Sequence, residues 1–144
     1  MQINRLTPAY AVSPQIEPDD LAALREAGFT AVICNRPDAE VDAAHSADAL
    51  RAAARDAGLV FHENPVVNGA LGPEEVEAQR TILTAADGPV FAYCRSGTRS
   101  AIVWALGAAA DQPVDEILGM ARQAGYDLEG LRPQLERIAA GATF

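Results

Sequence analysis

Apolar residues recur along this chain in two periods. The runs FTAVICN (29–35) and VFAYC (90–94) are continuous, β-branched or aromatic, and bounded by turn residues, which predicts strands buried on both faces. LVFHENPVV (59–67) contains another short strand. Residues 2–16 hold two apolar stretches around Pro8 and Pro14 and read as one or two short strands suited to a sheet edge. Helical spacing fills the intervals. In EPDDLAALREAG, Asp19 and Asp20 suit a helix N-terminus, Leu21 and Leu24 form an inward stripe, and Gly28 stops the helix. Ser46 is placed to cap a helix running to Ala57 and ended by Gly58. Pro73, Glu74 and Glu75 open a third helix reaching about Ala86. After VFAYC, the segment RSGTRS leads into a helix that starts near Ser100, Pro113 opens another to about Gly125, and Leu131–Ala140 forms a last one. Strands alternating with helices predict an α/β fold with a mainly parallel central sheet flanked by helices. The final three helices follow without a strand between them and are expected to pack together on one side. No linker, repeat or low-complexity tract interrupts the pattern, so residues 1–144 are expected to form a single domain.

Composition narrows this picture. Of the 144 residues, 49% are hydrophobic and 22% charged, which suits a globular chain able to bury a core without disulfide or metal staples. No apolar run approaches the roughly 20 residues of a membrane span, and MQINRLTPAY lacks the pattern of a secretory signal, so the expected residence is the cytoplasm, away from membranes. Eleven basic residues, all Arg, stand against 20 acidic ones, for a net charge of −9. Such a surface repels phosphate backbones and argues against nucleic acid as a partner. His45 and His62 lie far apart and no Cys-x-x-Cys occurs, so neither a metal nor a cofactor is implied.

Within that acidic chain, VFAYCRSGTRSAIVWAL concentrates the chemistry. An apolar strand delivers Cys94 to a strand's carboxyl end, where open α/β sheets place their ligands. A short loop with Gly97 follows, then a helix N-terminus. Such a loop turns successive N–H groups inward as an anion nest, and the helix end adds partial positive charge. Arg95 and Arg99 bring full charges into the same few residues. A purely structural buried Cys would not be flanked by two guanidinium groups, because burying charge is costly. The combination points to a thiolate nucleophile in an anion cradle. Cys94 and Arg99 are the candidate catalytic pair, with Arg99 gripping the anion. Arg95 is expected at the rim or in a structural pair, and Ser96, Gly97 and Thr98 supply mainly backbone N–H groups. Ser100 either caps the following helix, as Ser prefers, or hydrogen-bonds the sulfur.

CRSGTRS resembles the active-site loop of single-domain rhodanese sulfurtransferases. It also resembles the phosphate loop of cysteine-dependent phosphatases, which place Arg after five intervening residues where Arg99 follows Cys94 after four. The wider pattern, QIEPDDLAALREAGFTAVICNRPD, then PVVNG, then GPVFAYCRSGTRSAIVWAL, is similar to the phosphatase-like domain of the beta-lactamase-hydrolase-like proteins, over about residues 3–112. The resemblance implies a dual-specificity-phosphatase-like fold with a rhodanese-length loop, acting as phosphatase or sulfur transferase. It also suggests a persulfide-handling enzyme as partner, because some members carry this domain fused to one.

A phosphatase of this kind uses a leaving-group acid, usually Asp on a neighbouring loop. The matching region, FHENPVVNGALG, offers Glu63 and Asn68 but no Asp, and Asp38 is the other candidate acid. Asn68 suits a lid edge better than a proton donor. Sulfur transfer asks for less, since the Cys94 thiolate takes a sulfane sulfur and passes it from a persulfide to a thiol acceptor. The leading expectation is therefore a sulfurtransferase acting on a small anionic or sulfane-sulfur substrate. A phosphatase working through phosphocysteine is the alternative, and a non-catalytic anion-binding module the third reading.

Beyond the loop, Arg36 in Asn35-Arg36-Pro37-Asp38 is a candidate second anion contact or part of an Asx-type turn. Cys34 reads as core, as does Trp104. His62 reads as a half-exposed strand residue, His45 as a loop residue, and Glu74, Glu75 and Glu77 as a solvated helix face.

Overall fold

The computed structural model describes residues 1–143. The strands are β1 (Asn4–Thr7), β2 (Tyr10–Ser13), β3 (Ala31–Cys34), β4 (Val60–Glu63) and β5 (Val90–Tyr93). The helices are α1 (Asp20–Glu26), α2 (Ala47–Ala57), α3 (Pro73–Ala85), α4 (Thr98–Ala108), α5 (Val114–Gln123) and α6 (Arg132–Ala139). Short 3-10 turns cover Asp38–Glu40, Ala43–His45 and Glu129–Leu131.

The five strands form one sheet in the order β1-β2-β5-β3-β4. Only β1 runs antiparallel to its neighbour; β2, β5, β3 and β4 are parallel. The N-terminal segment thus supplies two strands. Pro14 ends β2 and does not interrupt it, and β2 lies inside the sheet beside β5, leaving β1 at the edge. Helices cover both faces, which is why the central strands read as unbroken apolar runs. Alternate side chains go to opposite sides. Tyr10, Val12, Ile33 and Ala92 face α3 to α6, where they meet Trp104, Leu106, Ile117 and Leu135. Ala11, Val32, Phe91 and Tyr93 face α1 and α2, against Leu21, Leu24 and Leu50. The last three helices do pack together, and α3 joins them on that face.

Local signals explain most boundaries. The Ser46 side chain accepts from the Ala49 N–H, and Gly58 closes α2 at φ +80°, as the sequence predicts. The register places Ser13 and Cys34 opposite Tyr93, so β2, β5 and β3 end together. Cys94 and Asn35 emerge side by side from these ends, with Asn35 N–H donating to the Tyr93 carbonyl at 2.9 Å. That shared rim positions the site.

Candidate active site at the carboxyl end of the sheet

Leaving β5, the chain turns through Cys94-Arg95-Ser96-Gly97 and enters α4 at Thr98. The helix begins two residues before the expected start near Ser100. Gly97, at φ +97°, is its N-cap and lets the backbone make the turn. Arg99 and Ser100 therefore lie in the first helical turn, and Ser100 does not cap the helix or bind the sulfur. Its buried hydroxyl donates to Asn35 Oδ1 at 2.8 Å.

Cys94 is 1% exposed and its sulfur accepts the Gly97 N–H at 3.1 Å. The sulfur is thus buried against a backbone donor at a helix N-terminus, with the guanidinium of Arg99 in its field. Arg99 itself is 7% exposed. Its Nη1 donates to Glu40 Oε2 and to the Val66 carbonyl, each at 2.8 Å, and its Nη2 donates to Glu40 Oε1 at 2.7 Å. A guanidinium has five N–H donors. Glu40 and Val66 occupy three, and the Nε–H and the second Nη2 N–H have no partner among the described residues. Glu40 is lowered from its ordinary carboxylate value by its hydrogen bonds to Arg99 and also by Arg36. It is a fixed acceptor and a poor acid.

Several candidates go elsewhere. Arg36 makes no hydrogen bond to the sulfur; its guanidinium bonds Glu40 and Gln15. Asp38 accepts the Ala47 N–H at 2.8 Å and so caps the start of α2. Glu63 sits on edge strand β4 and pairs with Arg51 at 2.8 Å. Asn68 is exposed in the loop before α3. Asp38 and Glu63 thus have partners of their own, whereas Asn68 lies two residues beyond Val66, whose carbonyl accepts from Arg99, so its loop borders the site. Arg95 points outward and makes no ion pair among the described residues, while its carbonyl accepts the Gln15 N–H at 3.3 Å. Ser96 and Thr98 are exposed, and the Thr98 N–H donates to Ser96 Oγ at 3.3 Å. Cys34 is core, with burial pushing its thiol up. His45 bridges Asp42 and Glu17 at 2.6 and 2.7 Å.

Sequence reasoning missed the support beneath the loop. Asn35, Asn64, Gln79, Tyr10 and Ser100 form a buried polar network. Gln79 Oε1 accepts from Asn35 and Asn64, and its Nε2 donates to Tyr10 and to Asn35 Oδ1. Tyr10 donates to the Ser100 carbonyl at 2.8 Å. Glu40 was also missed. A guanidinium drawn into a site nearly always needs a carboxylate partner, and that rule directs the search to the acids just past β3, where Glu40 lies.

A family model for the phosphatase-like domain of beta-lactamase hydrolase-like proteins matches residues 2–111. The chain belongs to that family. The beta-lactamase hydrolase-like protein of Xylella fastidiosa strain 9a5c is 30% identical over 141 residues, covering 96% of this chain and 33% of the relative. The Agrobacterium fabrum protein of the same description is 29% identical over 142 residues, covering 97% of this chain and 33% of the relative. The chain thus spans about a third of the length of these relatives. Among solved structures, a candidate phosphatase from Neisseria meningitidis superposes with a TM-score of 0.82 at 35% identity, covering 95% of this chain and 98% of that one. TpbA of P. aeruginosa, solved with phosphotyrosine, gives a TM-score of 0.63 at 18% identity, covering 97% and 91%, and shows the shared fold alone. The family is phosphatase-like, and its fold is that of the dual-specificity and tyrosine phosphatases, as the resemblance over residues 3–112 implied. The family model and the Neisseria meningitidis structure favour the phosphatase alternative over the sulfurtransferase expectation.

Proposed function

We propose that this chain hydrolyses phosphate monoesters through a phosphocysteine on Cys94. The observation that carries this reading is the pairing of the Gly97 N–H on the Cys94 sulfur with a clamped Arg99 that keeps two donors free. In the reaction, the Cys94 thiolate attacks phosphorus, an S–P bond forms, and the ester P–O bond breaks. Arg99 and the loop N–H groups hold the charge that develops on the phosphoryl oxygens. Water then attacks phosphorus, breaks the S–P bond and releases inorganic phosphate. Among the described residues Asp38 bonds the Ala47 N–H, Glu63 pairs with Arg51 and Glu40 is bound to Arg99, which supports a site that works without a carboxylic acid on the leaving oxygen. Substrates whose leaving group departs as a stable anion, such as aryl phosphates, are therefore preferred over alkyl phosphates.

Sulfur transfer is the second reading, favoured by the four-residue spacing from Cys94 to Arg99 and by the same missing acid. One comparison separates the two. The wild-type protein and Cys94→Ser are assayed in parallel with para-nitrophenyl phosphate and with thiosulfate plus a thiol acceptor. Turnover of the ester that is lost in Cys94→Ser supports the phosphatase. Sulfur transfer without ester hydrolysis overturns it, and equal activity in both proteins leaves Cys94 without a catalytic role.

A further inference from the structure

We infer that Tyr126 is a positioning residue for the sulfur site, holding the Ser96–Gly97 peptide so that its N–H is aimed at Cys94. This rests on the reading of Cys94 as the nucleophile. The Ser96 carbonyl and the Gly97 N–H belong to one trans peptide, so they point in opposite directions. The Tyr126 hydroxyl donates to the Ser96 carbonyl at 3.1 Å on the outer side, while the Gly97 N–H donates to the sulfur at 3.1 Å on the inner side. Fixing one end of this plane fixes the other.

Three further observations bear on it. A Cβ on residue 97 would lie 2.1 Å from the Tyr126 hydroxyl oxygen, so the tyrosine closes on the loop only because residue 97 is glycine. Asn4 Nδ2 on β1 donates to the same hydroxyl at 2.9 Å. That bond occupies a lone pair on the oxygen and leaves its hydrogen for Ser96. Burial, together with the nearby Cys94 sulfur, pushes the Tyr126 phenol up despite the Asn4 bond, so it stays a protonated donor. Tyr126 follows α5 and lies beyond residue 111, where the family match ends. Arg99 from α4, Tyr10 from β2 and Tyr126 from this segment are the groups within electrostatic range of the sulfur.

The test measures iodoacetamide alkylation of Cys94 against pH, by mass spectrometry of its peptide, in the wild type, Tyr126→Phe, Asn4→Asp and Asn4→Ala. Tyr126→Phe removes the donor. Asn4→Asp keeps the tyrosine in place but gives its hydroxyl a carboxylate to donate to, drawing the hydrogen away from Ser96. Both are expected to slow alkylation near neutral pH by roughly three- to tenfold, the range one hydrogen bond carries, with rates converging at high pH. Asn4→Ala leaves the hydroxyl free to donate to Ser96 and stays within about twofold of the wild type on the same scale. A Tyr126→Phe profile that superimposes on the wild type overturns the inference, as does an Asn4→Asp profile equal to that of Asn4→Ala. If Tyr126→Phe fails to fold, Asn4→Asp decides. Alkylation needs no turnover, so shifted profiles in a protein that hydrolyses no phosphate ester would sink the phosphatase reading and leave the positioning role standing.

Discussion

Replacing Glu40 with Gln tests how the anion clamp is built. The Glu40 carboxylate takes two hydrogen bonds from Arg99, at 2.8 and 2.7 Å, and one from Arg36 at 3.2 Å. The Arg99 side chain is 9% exposed and that of Glu40 29%, so the pair lies between a surface ion pair and a buried one. A surface pair is worth about 0–1 kcal/mol, and breaking a buried one costs about 3–5 kcal/mol. Glutamine keeps one acceptor oxygen and loses the charge, which sets the expected destabilisation at about 1–3 kcal/mol. The catalytic effect follows from the donor count. With one carboxylate oxygen gone, only the remaining amide oxygen and the Val66 carbonyl hold the guanidinium, and its two free donors lose their aim. Losing the equivalent of one charge-assisted bond to the phosphoryl group lowers kcat/KM for para-nitrophenyl phosphate by about 10- to 100-fold. Urea unfolding and steady-state kinetics on the same preparation measure both effects. The pH dependence supplies a third check. Because the folded protein holds Glu40 below its ordinary range, its contribution is present above that range and is lost as pH falls through the depressed value. The stability gap between wild type and Glu40→Gln should therefore persist through mildly acidic pH and close only in stronger acid. A variant with wild-type kinetics and a stability change below about 0.3 kcal/mol, well short of a charged hydrogen bond, would refute the clamp.

Other outcomes follow from the same geometry. Gly97→Ala places a methyl at φ +97° and 2.1 Å from the Tyr126 hydroxyl. It should cost at least about 1–2 kcal/mol from backbone strain alone and lower the thermal midpoint by several degrees, read by calorimetry. An unchanged midpoint would mean the loop is not held as described. Gln79→Leu removes the hub that bonds Asn35, Asn64 and Tyr10, and should destabilise by about 2–4 kcal/mol in urea titration while reducing ester turnover. A change under about 1 kcal/mol would argue against the network as support for α4. His45, bonded first to Asp42 and then to Glu17, is raised above the ordinary imidazole value. Its stabilisation is fully present below the unfolded value and is lost as pH rises through the folded one. The thermal midpoint should thus fall across that interval in the wild type and fall less in His45→Gln; parallel profiles would contradict the bridge.

The sheet and its helices were legible because their signals are local. FTAVICN and VFAYC carry the continuous burial of central parallel strands, and Ser46 and Gly58 carry their own cap chemistry. Cys94, Gly97 and Arg99 were legible as a site because one short segment holds nucleophile, turn and charge together. The start of α4 was misplaced because Ser100 has good cap chemistry, whereas Gly97 caps through a positive φ that composition does not announce. Glu40, Gln79 and Tyr126 were not legible for a different reason. Each makes its contacts across a long stretch of sequence, 59 residues from Glu40 to Arg99, 30 from Ser96 to Tyr126, and 44 and 69 from Gln79 to Asn35 and Tyr10. Such pairings depend on which strands end together, a property of register that no single window of sequence contains. The partners of Asp38 and Glu63 were not legible either. Both lie near strand ends in sequence, yet one caps α2 and the other pairs with Arg51 on the sheet edge.

The most direct test is the mass of the Cys94 peptide after the protein is mixed with a phosphate ester and quenched in acid. One added phosphoryl group is expected on Cys94, absent in Cys94→Ser and reduced in Glu40→Gln. Ester turnover with Cys94 unmodified at every quench time and undiminished in Cys94→Ser would contradict it.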